Sequence, residues 1–309
     1  MTALDGAEHL DPALRAVATT RTDFSPAAIE LTRAPFNERR RLAAAQTDTA
    51  GVWIVDDNAN DAGVRIYRGG PEPASAVIYC HAGGFALGNL DTDHRQCVEL
   101  ARRSRYTVVS VDYRLAPEHP YPAALQDAGT VLRWVHAEAA ALGVDPARLA
   151  VAGSSAGAAL AACLAHPDGS LPAVVCQLLH QPVLDDRATG SKARFRTSPA
   201  FDGEAAELMW RYYLGPTVGS AAAVPARRPE LTGLPPDLIT CAEIDPFRDE
   251  AIDYARRLLD AGVCTELHVF ARACHGFDPL LPAGRARSDC SPCRAKCCRR
   301  RCTAVPSAR

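Results

Sequence analysis

The sequence predicts an α/β fold in which helices flank a mostly parallel central sheet. Short apolar runs alternate with amphipathic stretches along most of the chain, which is the pattern of strands that alternate with helices. The 309 residues, of which 48% are hydrophobic and 23% charged, are enough for one large domain with a sizeable core. A G-x-S-x-G pentapeptide that directly follows one apolar run is a third indication, because it is typical of a strand-turn-helix unit.

The individual elements follow from the period of the apolar residues. Residues 11–48 carry apolar positions at helical spacing and predict two or three short helices ahead of the main domain. The predicted strands are residues 64–67, 76–80, 107–111, 149–152, 174–179, 238–241 and 267–270. The predicted helices are residues 93–104, 122–142, 156–166, 204–213 and 247–261.

These elements group into three parts along the chain. We expect residues 1–48 to form an N-terminal helical cap, residues 49–282 the main domain, and residues 283–309 a disordered tail rich in Arg and Cys. Within the main domain, residues 185–235 are richer in Arg, Pro and Gly. We interpret this segment as an excursion from the sheet that forms a lid together with the cap.

Charge and hydropathy exclude several classes of function. The formal net charge is -2, and residues 285–309 hold eight of the 34 basic residues, so the body of the chain is acidic and offers no clustered basic surface to a nucleic acid. No stretch approaches the roughly 18 apolar residues of a membrane span. The first residues lack the basic and apolar regions of a secretory signal. We therefore expect a cytoplasmic protein without stable membrane insertion.

The central residue of the pentapeptide, Ser155, is the candidate nucleophile. It follows the predicted strand at 149–152 and begins a helix of small residues. Gly153 and Gly157 allow a tight turn that leaves the serine oxygen exposed above the sheet. Ser154 is the alternative, but it is not the central residue of the pentapeptide.

A serine hydroxyl needs a base, and the base needs a group that fixes its tautomer. In this arrangement the partners follow in the order serine, acid, histidine, each after a later strand. His275 follows the last predicted strand and Asp245 follows the one before it, so they are the candidate base and acid. Asp245 is also explained as an ordinary helix N-cap. Asp249 is the alternative acid, and His268 is an alternative histidine that lies inside a strand.

Ester cleavage also requires donors aimed at the oxygen that becomes negative in the tetrahedral intermediate. Gly83 and Gly84 follow the predicted strand at 76–80, which is where half of such a site is expected, and the amide after the nucleophile, that of Ala156, supplies the rest. Glycine allows the backbone to approach the substrate closely. A plain Gly-rich turn explains the glycines but not their position.

Together these motifs resemble those of the hormone-sensitive-lipase-like esterases and lipases, bacterial family IV of the α/β-hydrolase superfamily. The counterparts of the family motifs are H-A-G-G-F at 81–85, D-Y-R-L-A-P-E at 112–118, G-S-S-A-G at 153–157, D-P-F-R-D-E at 245–250 and H-G-F at 275–277. Five motifs in one order, over about residues 50–280, are far more specific than any one of them. The resemblance implies an α/β-hydrolase fold with an N-terminal helical cap that shapes the acyl pocket.

The resemblance also assigns roles and reveals two departures. It implies a nucleophile, a general base and an orienting acid at Ser155, His275 and Asp245, and an oxyanion hole at Gly83, Gly84 and Ala156. The stretch 112–118 is expected to be structural. Ala82 replaces the first glycine of the family motif, which is tolerable if its φ is negative. Ser154 replaces the usual aspartate of the elbow and removes a charge near the site.

The third departure is the C-terminal tail, where the family continues into an amphipathic helix. Five cysteines crowd into residues 290–302 and read as zinc ligands, but their spacing matches no familiar finger. We favour the hypothesis that the tail is out of register with the ancestral reading frame, because shifted GC-rich codons yield Arg, Cys, Pro and Ala. Relatives often dimerise through the last strand and final helix, so a homodimer depends on this altered tail.

The sequence thus predicts a serine carboxylesterase that hydrolyses short- to medium-chain acyl esters through an acyl-enzyme on Ser155. Its partner is a small-molecule ester, and no cofactor, metal or nucleic acid is expected. Two alternatives come from other classes of protein. One is a non-catalytic small-molecule-binding relative of the same fold. The other is a metal-binding or acidic-partner module formed by the tail.

Overall fold

An eight-stranded sheet is the centre of the computed structural model, which describes residues 5–166 and 169–280. The strands are β1 (Trp53–Ala59), β2 (Ala62–Arg68), β3 (Ala74–Cys80), β4 (Thr107–Asp112), β5 (Val144–Ser154), β6 (Gln177–His180), β7 (Asp237–Ile244) and β8 (Thr265–Cys274). The α-helices of this part of the chain are α1 (Pro12–Val17), α2 (Ile29–Ala45), α3 (His94–Ser104), α4 (Ala123–Ala137), α5 (Ala156–Leu164), α6 (Gly190–Arg194), α7 (Gly203–Leu214), α8 (Arg248–Asp260) and α9 (Phe277–Leu280).

The strands lie in the spatial order β1-β2-β4-β3-β5-β6-β7-β8. Strand β2 is antiparallel to both of its neighbours, β1 and β4, whereas every other pair in the sheet is parallel. The predicted α/β fold with a mostly parallel sheet is therefore confirmed. Because β3, β5, β7 and β8 are parallel, their carboxyl ends meet at one edge of the sheet, and the segments that follow them lie side by side there.

Several boundaries differ from the prediction for physical reasons. Strand β1 was not predicted, because its sequence, W-I-V-D-D-N-A, shows no alternation of apolar and polar residues and is mostly exposed, as is common at the edge of a sheet. Strand β5 begins before the predicted residues 149–152, in a polar stretch. Strand β6 begins later than predicted, at Gln177, and α4 ends at Ala137 rather than continuing to residue 142.

Two apolar layers cover the sheet, one on each face. Successive side chains of β3 alternate between them: Ile78 belongs to a cluster with Leu160 of α5, and Val77 belongs to a second cluster with Val98 of α3. All seven residues of β3 are buried, as expected for a central strand covered on both sides. This packing on both faces fixes the position and direction of β3, and therefore the start of the loop that contains Gly83.

The N-terminal segment and the predicted excursion at 185–235 contact each other above the sheet. The backbone amide of Thr22 donates to the carbonyl oxygen of Ala200 at 2.7 Å. The hydroxyl of Tyr212, on α7, donates to the carbonyl oxygen of Phe24 at 2.8 Å. These contacts are what a shared lid requires, and the domain boundaries themselves stay predictions.

Arg33 attaches helix α2 to the main domain. Its guanidinium donates to the carbonyl oxygens of Ala86 at 2.8 Å and Ala116 at 2.7 Å, and it forms an ion pair with Glu118 at 2.6 Å. Both Ala116 and Glu118 belong to the stretch 112–118 that was expected to be structural. The acidic and carbonyl groups of that stretch thus hold the cap helix in place.

Three further points concern the tail, the cysteines and the length of the helices. The predicted tail at 283–309, with its cysteine cluster, lies outside the described residues. Six of the seven cysteines within the described ranges are buried, whereas Cys264 is exposed in the loop before β8. None of the helices that the structure describes is long and apolar enough to cross a membrane.

Candidate active site

Ser155 occupies the turn between β5 and α5. Its backbone has φ of 54° and ψ of -120°, a conformation that non-glycine residues rarely adopt and that is typical of a nucleophile elbow. Glycine is required at position 157, because a Cβ atom there would lie 2.1 Å from the carbonyl oxygen of Cys80. Helix α5 therefore begins in direct contact with the end of β3.

Two hydrogen bonds join the three predicted site residues. His275 Nε2 lies 2.9 Å from Ser155 Oγ, and His275 Nδ1 lies 2.9 Å from Asp245 Oδ2. All three side chains are buried. The other carboxylate oxygen of Asp245 accepts a hydrogen bond from the amide of Phe247 at 2.8 Å, so this residue holds the loop before α8 as well as the histidine. The N-cap residue of α8 is Phe247 and not Asp245, so the simple helix-capping interpretation of Asp245 is not confirmed, whereas the contact with the histidine is present.

The alternative residues lie elsewhere. Asp249 forms an ion pair with Arg248 at 2.8 Å, on the first turn of α8. His268 lies in the middle of β8 with its side chain 44% exposed, away from the strand end. The hydroxyl of Ser154 lies 2.7 Å from that of Tyr79. None of these three side chains takes part in the hydrogen bonds that join Ser155, His275 and Asp245.

Two thiols flank the loop that carries the acid. Burial raises the pKa of Cys241 to about 12 and that of Cys274 to about 12, and the nearby charge of Asp245 acts in the same direction. Both groups are therefore neutral thiols at physiological pH, and a thiolate is the reactive form of cysteine. Neither thiol competes with Ser155 as a nucleophile.

The loop after β3 brings the predicted oxyanion residues beside Ser155. Gly83 has φ of 134°, and a Cβ atom on it would lie 2.0 Å from the carbonyl oxygen of Leu87, so only glycine fits. Gly83 and Gly84 line the same cavity as Ser155 and His275. Ala156 is the first residue of α5, where an amide has no acceptor within the helix.

A chain of polar side chains connects this loop to the elbow. The amide of Ala82 donates to Asp93 Oδ2 at 2.9 Å, so it does not point into the cavity. Ala82 also lacks a positive φ, and the replacement of the family glycine causes no backbone strain. The hydroxyl of Tyr79 donates to Asp93 at 3.2 Å and lies 2.7 Å from the hydroxyl of Ser154. The serine that replaces the usual aspartate is therefore tied into a hydrogen-bond network.

A second cluster lies behind His275, and the sequence interpretation missed it. The amide of Gly276 donates to Gln181 Oε1 at 2.6 Å, and the side-chain nitrogen of Gln181 lies 3.3 Å from Asp278 Oδ1. His180 Nε2 lies 3.1 Å from the same carboxylate oxygen. The carbonyl oxygen of His180 also accepts from the amide of Ser155 at 2.8 Å. The end of β6 thus fixes the backbone of both the elbow and the histidine loop.

The available signal for this cluster was weak. Gln181 and His180 stand at the end of a predicted strand, which marks the edge where a site lies, but nothing in the residue types distinguishes them from core polar residues. Asp278 follows the H-G-F motif directly and was the most accessible clue.

The site faces a cavity of 810 Å³. Its floor is formed by the strand ends and carries Ser155 and His275, and its opposite wall is formed by the N-terminal segment, which contributes Phe24 and the α2 residues Phe36 and Arg40. Phe201, from the excursion, completes the wall and lies edge-on to Phe24, with ring centroids 5.1 Å apart. The lining is mixed, with aromatic and aliphatic side chains beside polar and charged ones on both walls, and a cavity of this kind suits a small ligand.

The chain is similar in sequence to a known family of hydrolases and to individual esterases. A family model described as the alpha/beta hydrolase fold matches residues 77–279. The chain belongs to this family. It is 41% identical to esterase LipI of Mycobacterium tuberculosis over 72% of this chain and 73% of that protein, and 40% identical to carboxylesterase NlhH of the same species over 65% of this chain and 66% of that protein.

The solved structures agree with the sequence relatives. The crystal structure of esterase LipW from Mycobacterium marinum matches with a TM-score of 0.95 and 60% identity, over 97% of this chain and 98% of that one. The predicted resemblance to the hormone-sensitive-lipase-like esterases of the α/β-hydrolase superfamily is confirmed by these similarities.

The structure contains no candidate metal centre in residues 5–166 and 169–280, where no three His, Cys, Asp or Glu side chains are grouped to hold an ion. The zinc interpretation of the cysteine-rich tail, which the sequence does not favour, concerns residues outside these ranges.

Proposed function

We propose that this chain is a serine carboxylesterase in which Ser155 forms an acyl-enzyme, His275 is the general base and Asp245 orients the base. The observation that carries the proposal is the pair of 2.9 Å hydrogen bonds that link Ser155 to His275 and His275 to Asp245. At the level of enzyme class, the prediction of a carboxylic-ester hydrolase is confirmed by relatives named esterase and carboxylesterase.

The reaction follows from the positions of the atoms. Ser155 Oγ attacks the ester carbonyl carbon while His275 Nε2 accepts its proton, and Asp245 stabilises the imidazolium through Nδ1. The amides of Gly83, Gly84 and Ala156 are proposed to donate to the oxygen that becomes negative. His275 then gives the proton to the departing alcohol. A water molecule, activated by the same histidine, releases the acid from Ser155.

Acyl transfer to Ser155 is tested with a fluorophosphonate probe and a short chromogenic ester. We expect covalent labelling of the wild-type protein, loss of labelling in Ser155→Ala, and a fall in kcat of several orders of magnitude in that variant. Ser154→Ala is the matched control, because it removes the neighbouring hydroxyl. Labelling that survives in Ser155→Ala, or that disappears equally in both variants, would contradict the proposal.

The substrate is proposed to be a small-molecule ester with a short to medium acyl chain. The support is the size of the cavity, 810 Å³, and its mixed apolar and polar walls. A series of esters from acetate to dodecanoate is expected to give the highest kcat/KM at a chain shorter than dodecanoate. An optimum at the longest chain would contradict the proposed substrate class.

The oligomeric state and the location in the cell are also proposals. A homodimer is proposed through the last strand, β8, and is tested by light scattering on the purified protein. A cytoplasmic location is also proposed, and it is tested by fractionation of the producing cells.

A further inference from the structure

Helix α2 brings a cation into the cavity that holds Ser155. The side chain of Arg40 lines this cavity, together with Phe36, one helical turn earlier on the same face. The guanidinium lies 5.0 Å from the centroid of the Phe36 ring, a cation–π distance. The opposite side of the cavity carries the reactive serine and histidine.

Among the charged side chains that line the cavity, Arg40 is half-buried and has no ion-pair partner in the part of the chain that the structure describes; the neighbouring Arg39 also lacks one, but it is exposed. Asp93 accepts hydrogen bonds from Ala82 and Tyr79, and Arg21 forms an ion pair with Asp202 at 2.5 Å. Within residues 5–166 and 169–280, by contrast, the guanidinium of Arg40 makes no hydrogen bond and no ion pair, and the ring of Phe36 is its close contact.

Burial and the nearby negative charges act on the charged form of Arg40 in opposite directions. Burial lowers the pKa of Arg40, and the negative charges of Asp93 and Asp278 offset only part of that effect. An arginine nevertheless stays charged in proteins. A charge that is partly removed from water without a hydrogen-bonding partner is stabilised by an anion that enters the cavity.

We propose that Arg40 binds a carboxylate of the substrate, so that the preferred esters carry an anionic group in addition to the ester bond. This inference rests on the proposed function, because it names the substrate class of the same site. A planar guanidinium presents a fork of donors that matches a carboxylate, and the contact with the Phe36 ring limits the positions that this fork can take. An uncharged ester leaves this donor set unused.

The test compares charged and neutral esters of equal length. On the acyl side, monomethyl glutarate and monomethyl adipate are paired with methyl pentanoate and methyl hexanoate. On the alcohol side, the acetate ester of hydroxybutanoate is paired with butyl acetate. The measured quantity is the ratio of kcat/KM for the charged ester to that for its neutral partner, and the pair with the higher ratio identifies the side of the ester that carries the anion.

The variants separate a local contact from a general effect of charge. We expect Arg40→Met to lower the ratio about 10- to 100-fold, the loss of a hydrogen bond to a charged group. Arg40→Lys should keep the charge but lose the fork, and give an intermediate ratio. Arg41→Met is the matched control on the same helix, because Arg41 is exposed and pairs with Glu38 at 2.7 Å.

The outcomes distinguish this inference from the proposed function. An equal ratio in the wild type and in Arg40→Met, or an equal fall in Arg41→Met, overturns the assignment to Arg40. Hydrolysis of neutral esters only, with no turnover of any charged partner, overturns it as well and leaves the proposed function intact. Failure of the wild type to hydrolyse either kind removes both. If Arg40→Met does not fold, the comparison of wild type with Arg40→Lys decides.

Discussion

The two walls of the active-site cavity are held in different ways. On the wall formed by strand ends, Ser155, Asp245 and His275 are buried, and each is joined to the next by a hydrogen bond. On the wall formed by the cap, helix α2 has Ile29 as its single buried residue and is attached chiefly through one side chain, Arg33. The proposed catalytic groups are thus held at the ends of strands, whereas the helix on the other side of the cavity is attached mainly through Arg33.

This difference indicates that the residues proposed for the reaction and those proposed for substrate selection lie on separate parts of the fold. Strand ends are fixed by the backbone hydrogen bonds of the sheet and by cores on both faces, so the distances between reacting atoms are set before any ligand arrives. Helix α2 is expected to lose little stability when its cavity-lining residues Phe36 and Arg40 change, because both are half-exposed. Substitutions on the first wall should therefore alter kcat, and substitutions on the second should alter KM and specificity.

The largest effect is expected from Asp245→Asn on the strand-end wall. An asparagine keeps the shape but not the charge that holds the correct tautomer of His275, and kcat should fall about 10⁴-fold. Steady-state kinetics with a short ester measure the change. The matched control is Asp249→Asn, four residues further along on the first turn of α8, and a comparable fall in that variant would show that Asp245 has no special part.

A smaller effect on the same wall is expected from Gln181→Met. The methionine cannot accept the hydrogen bond from the amide of Gly276, so the loop beside His275 loses one of its anchors. The loss of one hydrogen bond corresponds to a fall in kcat of roughly three- to tenfold, with little change in KM.

Gln126→Met, on the exposed face of α4, is the control for this exchange. If KM rises while kcat stays at the wild-type value, Gln181 acts on binding and not on the position of the base.

On the cap wall, Arg33→Met should raise KM several-fold and leave kcat nearly unchanged. The variant loses the hydrogen bonds to the carbonyl oxygens of Ala86 and Ala116, and α2 becomes less firmly attached to the main domain. The change is measured with the same ester. A kcat that falls in parallel with the rise in KM would mean that the two walls are not independent, and would break the comparison.

The smallest effect on activity is expected from Glu250→Gln, behind the strand-end wall. Burial raises the pKa of the Glu250 carboxyl to about 7, although the ion pair with Lys192 favours the charged form. Because the folded state holds this proton more tightly than the unfolded state, the group's contribution to stability is present below its unfolded pKa and is lost as the pH rises to about 7.

Urea denaturation between about pH 5 and about pH 8 measures this contribution. The free energy of unfolding of Glu250→Gln minus that of the wild type should increase as the pH rises through that range, because only the wild type loses this contribution. A difference in the free energy of unfolding between the two proteins that stays constant with pH would show that Glu250 does not titrate in this range.

Much of the site could be predicted from the sequence, for a definite reason. Ser155, Asp245 and His275 each follow an apolar run, and parallel strands bring the ends of such runs to one edge. The cluster of Gln181, Asp278 and His180 could not be predicted, because its hydrogen bonds join residues about 100 positions apart. Strand β1 was missed because an edge strand needs no apolar alternation.

The sequence by itself determined the fold class, the family and the order of the proposed catalytic residues along the chain. These properties are written in local patterns: the period of apolar residues, the glycines of the elbow, and motifs in a fixed order. Only the tertiary structure decided that Arg40 faces the cavity without a partner among the described residues, and that β6 supports His275. Both depend on the direction of side chains across the sheet, which is set by packing between distant segments and not by any short stretch of chain.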